Sequence, residues 1–99
     1  MPITVVTTRE SATAEMMIAA TRKLKAAAQK HGAEHLSLNQ VVADPDFGLW
    51  FIRFMCADWE VFGKLMQAAS SDSAARDALA GLDAVSKVIS RRVLASVDL

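Results

Sequence analysis

The side chains of this 99-residue chain that could hold a metal, exchange protons or attack a substrate are few, and their spacing limits them. His31 and His35 stand four apart, a spacing that puts two metal ligands on one helix face. Gly32 lies between them, however, and is the residue type at which a helix stops, so they are expected at a helix end and a strand start. No metal site is expected. Cys56 closes an apolar run with no base beside it, which describes a buried, inert thiol rather than a nucleophile. The glycines at 32, 48, 63 and 81 never cluster into a phosphate cradle, so the usual nucleotide sites are excluded and no cofactor is implied. No catalytic residue can be assigned.

Arg53 is the most conspicuous charge, because it stands inside the apolar run LWFIRFMC. A guanidinium cannot shed its proton to escape burial, so it needs an acidic partner, backbone carbonyls or a bound anion. Two roles are open to it. One is an ion pair across an interface or to a nearby strand, and the other is an anchor for the anionic group of a ligand, assisted by Arg91 or Arg92.

The whole-chain composition narrows the partners. Eleven basic residues balance eleven acidic ones, so the electrostatic footprint of a nucleic-acid binder is missing. With 53% apolar residues the chain is expected to fold as a single domain over residues 1–99, and a domain this short gains from association with a second copy. One cysteine allows no internal disulfide, and no basic segment followed by an apolar core opens the sequence, so a cytoplasmic setting is expected. No apolar stretch approaches the roughly 20 residues that cross a bilayer.

The elements that must position these residues follow from periodicity. Residues Ile3 to Thr8 are almost all β-branched and predict a first strand, with Pro2 at its start where no ladder donor is lost. From about Ala12 to His31, apolar residues recur at three and four, predicting an amphipathic helix with Ser11 as N-cap and Gly32 as its stop. Leu36 to Ala43 and Leu49 to Cys56 flank the turn formers of residues 44–48 and predict a hairpin. The preferred register collects Leu36, Leu38, Val42, Trp50, Ile52, Phe54 and Cys56 on one face, with only Gln40 out of place. The other face carries Ser37, Asn39, Val41, Leu49, Phe51, Arg53 and Met55, too apolar for open water.

Asp58 is expected to cap a second helix, and the segment 70–73 to interrupt it and cap a short further helix ending near Gly81. Val85 to Val97 alternates as a long last strand. The order is that of an α+β, ferredoxin-like β-α-β-β-α-β sandwich, with a four-stranded antiparallel sheet and helices on one face. A sheet apolar on both sides needs cover on its open face, and a two-fold copy supplies it, so a homodimer is expected.

The chain, with ITVVTT, the helix ending in KHG, the hairpin around DPDFG, the helix DWEVFGKLM and the strand SKVISRRVLASV, resembles the dimeric α+β barrel superfamily. That superfamily includes cofactor-free antibiotic-biosynthesis monooxygenases, haem-degrading enzymes, muconolactone isomerase-like enzymes and families of unknown function. The resemblance implies a ligand pocket between sheet and helices in each protomer. It also implies that Trp50 and Trp59 could shape that pocket and that Asn39 could supply an amide to hold a substrate, beside the anion-binding role open to Arg53. Neither histidine falls where the haem-degrading members keep their axial ligand, which argues against that activity. The expected function is binding of a small, partly apolar or aromatic, anionic ligand by a homodimer. The alternative is a cofactor-independent monooxygenase or isomerase.

Overall fold

A computed structural model describes residues 2–11, 13–43 and 48–99. Strand β1 (Ile3–Glu10) leads to helix α1 (Ala14–Gln29), strands β2 (Glu34–Gln40) and β3 (Trp50–Cys56), helices α2 (Trp59–Ser71) and α3 (Ser73–Val85), and strand β4 (Lys87–Ala95). The antiparallel sheet has the order β2-β3-β1-β4. The fold is the expected ferredoxin-like α+β arrangement with one more full helix.

Burial alternates along β3 because strand side chains point to opposite faces. Ile3 and Val5 of β1 and Trp50, Ile52, Phe54 and Cys56 of β3 are buried beneath the helices, where Met17, Leu65 and Leu82 meet them. The hairpin register is the one preferred from sequence, with Leu38 opposite Ile52 and Gln40 opposite Trp50. Val42 is a correction, since it lies beyond β2 and is exposed. The hairpin turn expected at 44–48 falls mostly outside the described residues, but its neck is closed by bonds from the Val41 amide to the Leu49 carbonyl and from the Gly48 amide to the Val41 carbonyl, both 2.9 Å.

Three boundaries differ from expectation, each for a local reason. The expected helix start at Ala12 lies outside the described residues, and Ser11 does not cap α1: its hydroxyl donates to the Val85 carbonyl at 2.9 Å, tying the end of α3 to the end of β1. Helix α3 does not end near Gly81 but runs to Val85, because burying Leu82 outweighs the roughly 1 kcal/mol that glycine costs a helix. The last strand starts at Lys87 rather than Val85.

The break between α2 and α3 is a single residue, Asp72. Its amide donates to the Ala68 carbonyl at the end of α2, and its carboxylate accepts from the Ala74 amide at 2.9 Å to begin α3. Asp58 caps α2 as expected, accepting from the Val61 amide at 2.9 Å. Helix α1 ends in a Schellman pattern, in which the Gly32 amide returns to the Gln29 carbonyl and the Ala33 amide to the Ala28 carbonyl.

Two glycines should respond oppositely to alanine. Gly32 sits at φ +99°, and a Cβ there would come 2.6 Å from Val61 Cγ1, so Gly32→Ala should cost at least about 1–2 kcal/mol. A Cβ on Gly81 would meet nothing within 4 Å, so Gly81→Ala should gain up to about 1 kcal/mol. Urea unfolding of both variants checks this, and a shift of the same sign for the two would refute it.

Candidate functional site

Alanines explain why there is room between the layers. Ala27 and Ala28 on α1, Ala68 and Ala69 on α2, and Ala75 on α3 all border one cavity, and Ala27 and Ala75 also pack together between α1 and α3. Side chains that stop at Cβ leave part of the gap between helices and strands unfilled, and a cavity of about 250 Å³ results. Ile52 and Phe54 form its floor on β3, and Leu65, Leu79 and Leu82 close its sides from α2 and α3. It reaches the β4 edge, where Val88 and Arg91 border it and are themselves exposed.

Four polar side chains interrupt this apolar wall: Thr7, Arg9, His31 and Arg91. Arg9 alternates onto the inner face after Ile3, Val5 and Thr7, and is only 5% exposed. Its Nη1 donates to Asp83 Oδ1 at 2.8 Å and to Ser86 Oγ at 3.1 Å, near the end of α3 where the helix dipole also favours a cation. The Arg9 Nε–H is buried with no partner among the described residues. Arg91 lies opposite Thr7 on β4, and its Nη2 contacts Met66 Sδ at 3.0 Å. Among the described residues no carboxylate lines the cavity itself, though Asp83 and Asp72 are hydrogen-bonded to its Arg9 and His31.

His31 stands just past α1, and its Nε2–H donates to Asp72 Oδ2 at 2.6 Å. A neutral imidazole that donates from Nε2 keeps its lone pair on Nδ1, so the carboxylate fixes which nitrogen can accept a proton. The hydrogen bond from His31, aided by the Ala74 amide and the nearby Lys30 charge, holds the Asp72 carboxyl below the usual aspartate value against the opposing effect of burial. Burial pushes the Cys56 thiol up, with the charges of Glu34 and Asp58 adding to it, as suits an inert core residue.

The four residues singled out from sequence are dispersed. Trp50 packs inward at the start of β3, buried, with its indole N–H unpartnered among the described residues. Trp59 opens α2, 55% exposed, edge-to-face with Phe62 at 5.7 Å. Asn39 and Arg53 lie on the open face of the sheet, where Asn39 donates to Ser37 Oγ at 3.2 Å. Arg53 is exposed and forms no ion pair among the described residues, so within the protomer the buried guanidinium is that of Arg9. None of the four borders the cavity. Of the groups that do, Arg9 was discernible from the period-two pattern of ITVVTTR, whereas the contact of His31 with Asp72 spans 41 positions and leaves no local signal.

No family model matches the chain, and no curated protein does. Solved structures match its fold over nearly its whole length. SnoaB, a cofactor-independent oxygenase from Streptomyces nogalater, superposes with a TM-score of 0.78 at 13% identity, covering 99% of this chain and 95% of that one. A candidate antibiotic biosynthesis monooxygenase from Chloroflexus aurantiacus gives 0.72 at 15% identity, over 99% and 95% of the two chains. A dimeric ferredoxin-like protein from an uncultured marine organism gives 0.68 at 16% identity, over 98% of each. The chain therefore shares the fold of antibiotic-biosynthesis-monooxygenase-like and dimeric ferredoxin-like proteins, as its sequence pattern suggested.

The Asp72 carboxylate gives a pH signature whose sign is fixed. An unfolded aspartate titrates near 3.9, roughly. The folded value is lower, so the stability it contributes is complete above that pH and is lost as pH falls through the folded value. Asp72→Asn can still cap α3, so it should be less stable than the parent at pH 7 and converge with it in acid. Denaturant unfolding across a pH series measures the gap, and a gap constant from neutral to strongly acidic pH would contradict the assignment.

Proposed function

We propose that the chain is a homodimeric α+β barrel protein that binds a small, largely apolar molecule carrying one anionic or acidic group in the cavity between sheet and helices. The observation that carries this reading is a mostly apolar cavity that, among the described residues, has Arg9 and Arg91 as its charged borders and His31 beside them in its lining. Its volume of about 250 Å³ suits a molecule of up to three rings, just under the ~300–1,000 Å³ of larger ligand sites. Balanced charge gives no reason to propose a nucleic-acid partner, and no described helix is long and apolar enough to cross a membrane. The free Cys56 fits a reducing, cytoplasmic setting.

The open sheet face supports the homodimer. Val6, Phe51 and Met55 are only partly covered there, and Leu94 of β4, opposite Thr4 on the same face, is exposed. A marine protein of the same fold is described as dimeric. Rows across this face place Arg53 beside Val6 and Val6 beside Arg92, so a partner must leave these guanidiniums wet or pair them.

A second reading, a cofactor-independent monooxygenase or isomerase, is favoured by the His31–Asp72 pair at the cavity and by the fold shared with an enzyme described as a cofactor-independent oxygenase. Asn39 and Arg53 on the open face and Trp59 at the α2 start stay in the proposal as contacts of a second site that a partner protomer completes, and Trp50, buried at the start of β3, as a ligand contact through its indole N–H.

Anilinonaphthalene sulfonate, with two ring systems and one anionic group, is a fitting probe. Its fluorescence should rise on binding, and Ala28→Leu, which fills the cavity, should weaken binding at least about tenfold, or 1.4 kcal/mol, while keeping thermal stability. Unchanged affinity in that variant would remove the cavity from the proposal. Light scattering at micromolar concentration should return a dimer mass and Phe51→Glu a monomer or an unfolded chain; a monomeric parent would refute the assembly.

A further inference from the structure

Resting on the ligand-binding reading above, we infer that the acidic group of the ligand is a carboxylate and that the free edge of the Arg9 guanidinium anchors it. Arg9 is buried and borders the cavity where β1 meets the start of β4, opposite Val88. Its bonds to Asp83 and to Ser86 both leave from Nη1. The edge made by Nε–H and Nη2, two parallel donors on the side away from Cδ, is therefore uncommitted among the described residues, and its Nε–H is buried without an acceptor. Such an edge takes the two coplanar oxygens of one carboxylate in a pair of charge-assisted hydrogen bonds.

The surroundings of this edge lack an acceptor and a negative charge. Trp50 stands opposite Arg9 across the β1–β3 ladder, and its indole N–H is also buried with no acceptor among the described residues. Two orphan donors are thus cross-strand neighbours beneath the helices, an arrangement that an acceptor-only group relieves. Arg91 borders the same end of the cavity, opposite Thr7, and its Nη2 meets the thioether of Met66, a weak acceptor. Glu10 and Lys87 face each other across the β1–β4 ladder and balance. What remains at this end, among the described residues, is two guanidiniums against the Asp83 carboxylate, a surplus of one positive charge. His31, held by Asp72 at the other end of α3, takes no part. One carboxylate supplies both the missing charge and the missing acceptor, and a guanidinium already fixed by Asp83 and Ser86 loses little freedom in binding it. A phosphate ester, with close to two charges near neutral pH, exceeds the surplus. The apolar body of the ligand then fills the alanine-lined part of the cavity, so the ligand is an aromatic or alicyclic monocarboxylate.

The test compares naphthoate with naphthamide, which has the same shape but no charge, by calorimetric titration of the full-length protein near neutral pH. Naphthoate should bind at least about tenfold more tightly. Arg9→Lys keeps a cation for Asp83 but has no flat edge of two donors, so the preference should fall to near parity while the amide binds as before. Asp83→Asn removes the competing charge and should strengthen naphthoate binding about threefold with the amide unchanged, which a merely structural Arg9 would not do. Where Arg9→Lys fails to fold, Asp83→Asn decides. Equal affinity of the parent for the two probes, a preference that survives Arg9→Lys, or naphthoate binding indifferent to Asp83→Asn overturns the inference. Naphthamide binding that Ala28→Leu still weakens would then show that the cavity reading survives it. Failure of both probes to bind overturns the inference too, and retained binding of anilinonaphthalene sulfonate would leave the cavity reading standing alone.

Discussion

Asp72 is the residue on which the arrangement of the helices depends. Four of its polar groups are committed: the amide to the end of α2, the carbonyl and one carboxylate oxygen to the start of α3, and the other carboxylate oxygen to His31 at the end of α1. Three helices thus meet at one residue, and the ends that meet are the ones whose backbone groups lack helical partners. Without this break α2 and α3 would form one long helix, which could not fold back so that Leu65 and Leu82 both reach the same core. The same contact fixes the tautomer of the imidazole at the cavity. A structural cap and a chemical orienting group are one residue.

The sheet imposes a second constraint, through the strict alternation of β1. Ile3, Val5, Thr7 and Arg9 must all point toward the helices, so the strand that supplies the centre of the core also carries a guanidinium beneath them. That charge is tolerated because Asp83 and Ser86, near the end of α3, reach it while Asp83 itself stays largely in solvent. The pairing of α3 with β1 is therefore fixed by polar contact as well as by Leu82. Ser11, bonded to Val85, fastens the same corner from the other side of the chain.

Much of the fold was legible in the sequence because it rests on local periodicity. The hairpin register followed from keeping Trp50, Ile52, Phe54 and Cys56 on one face, and the stop at Gly32 from the left-handed backbone that the end of α1 requires. The extent of α3 was not legible, since Gly81 reads as a terminator unless one knows that Leu82 is buried. The site was less legible still. Arg53 is conspicuous as a charge amid apolar neighbours, but neighbours in a strand point the opposite way, and its own face is the open one. The informative neighbours of a strand residue are two positions away, and on that count Arg9 was the arginine to follow. No count along the chain could have joined His31 to Asp72.

The alanine walls of the cavity have a consequence for how such a protein changes over generations. An alanine codon can mutate to glycine or to something larger, and glycine weakens the helix that carries it. Larger apolar replacements at Ala28, Ala68 or Ala69 can add atoms where there is empty space, whereas at Ala27 and Ala75 they also crowd the contact between α1 and α3. Random change at the first three positions therefore fills this cavity by steps that are neutral or beneficial to folding. An opening bordered by such alanines persists only where larger residues are weeded out, so its emptiness across related chains would record selection for a vacant interior rather than for a stable one.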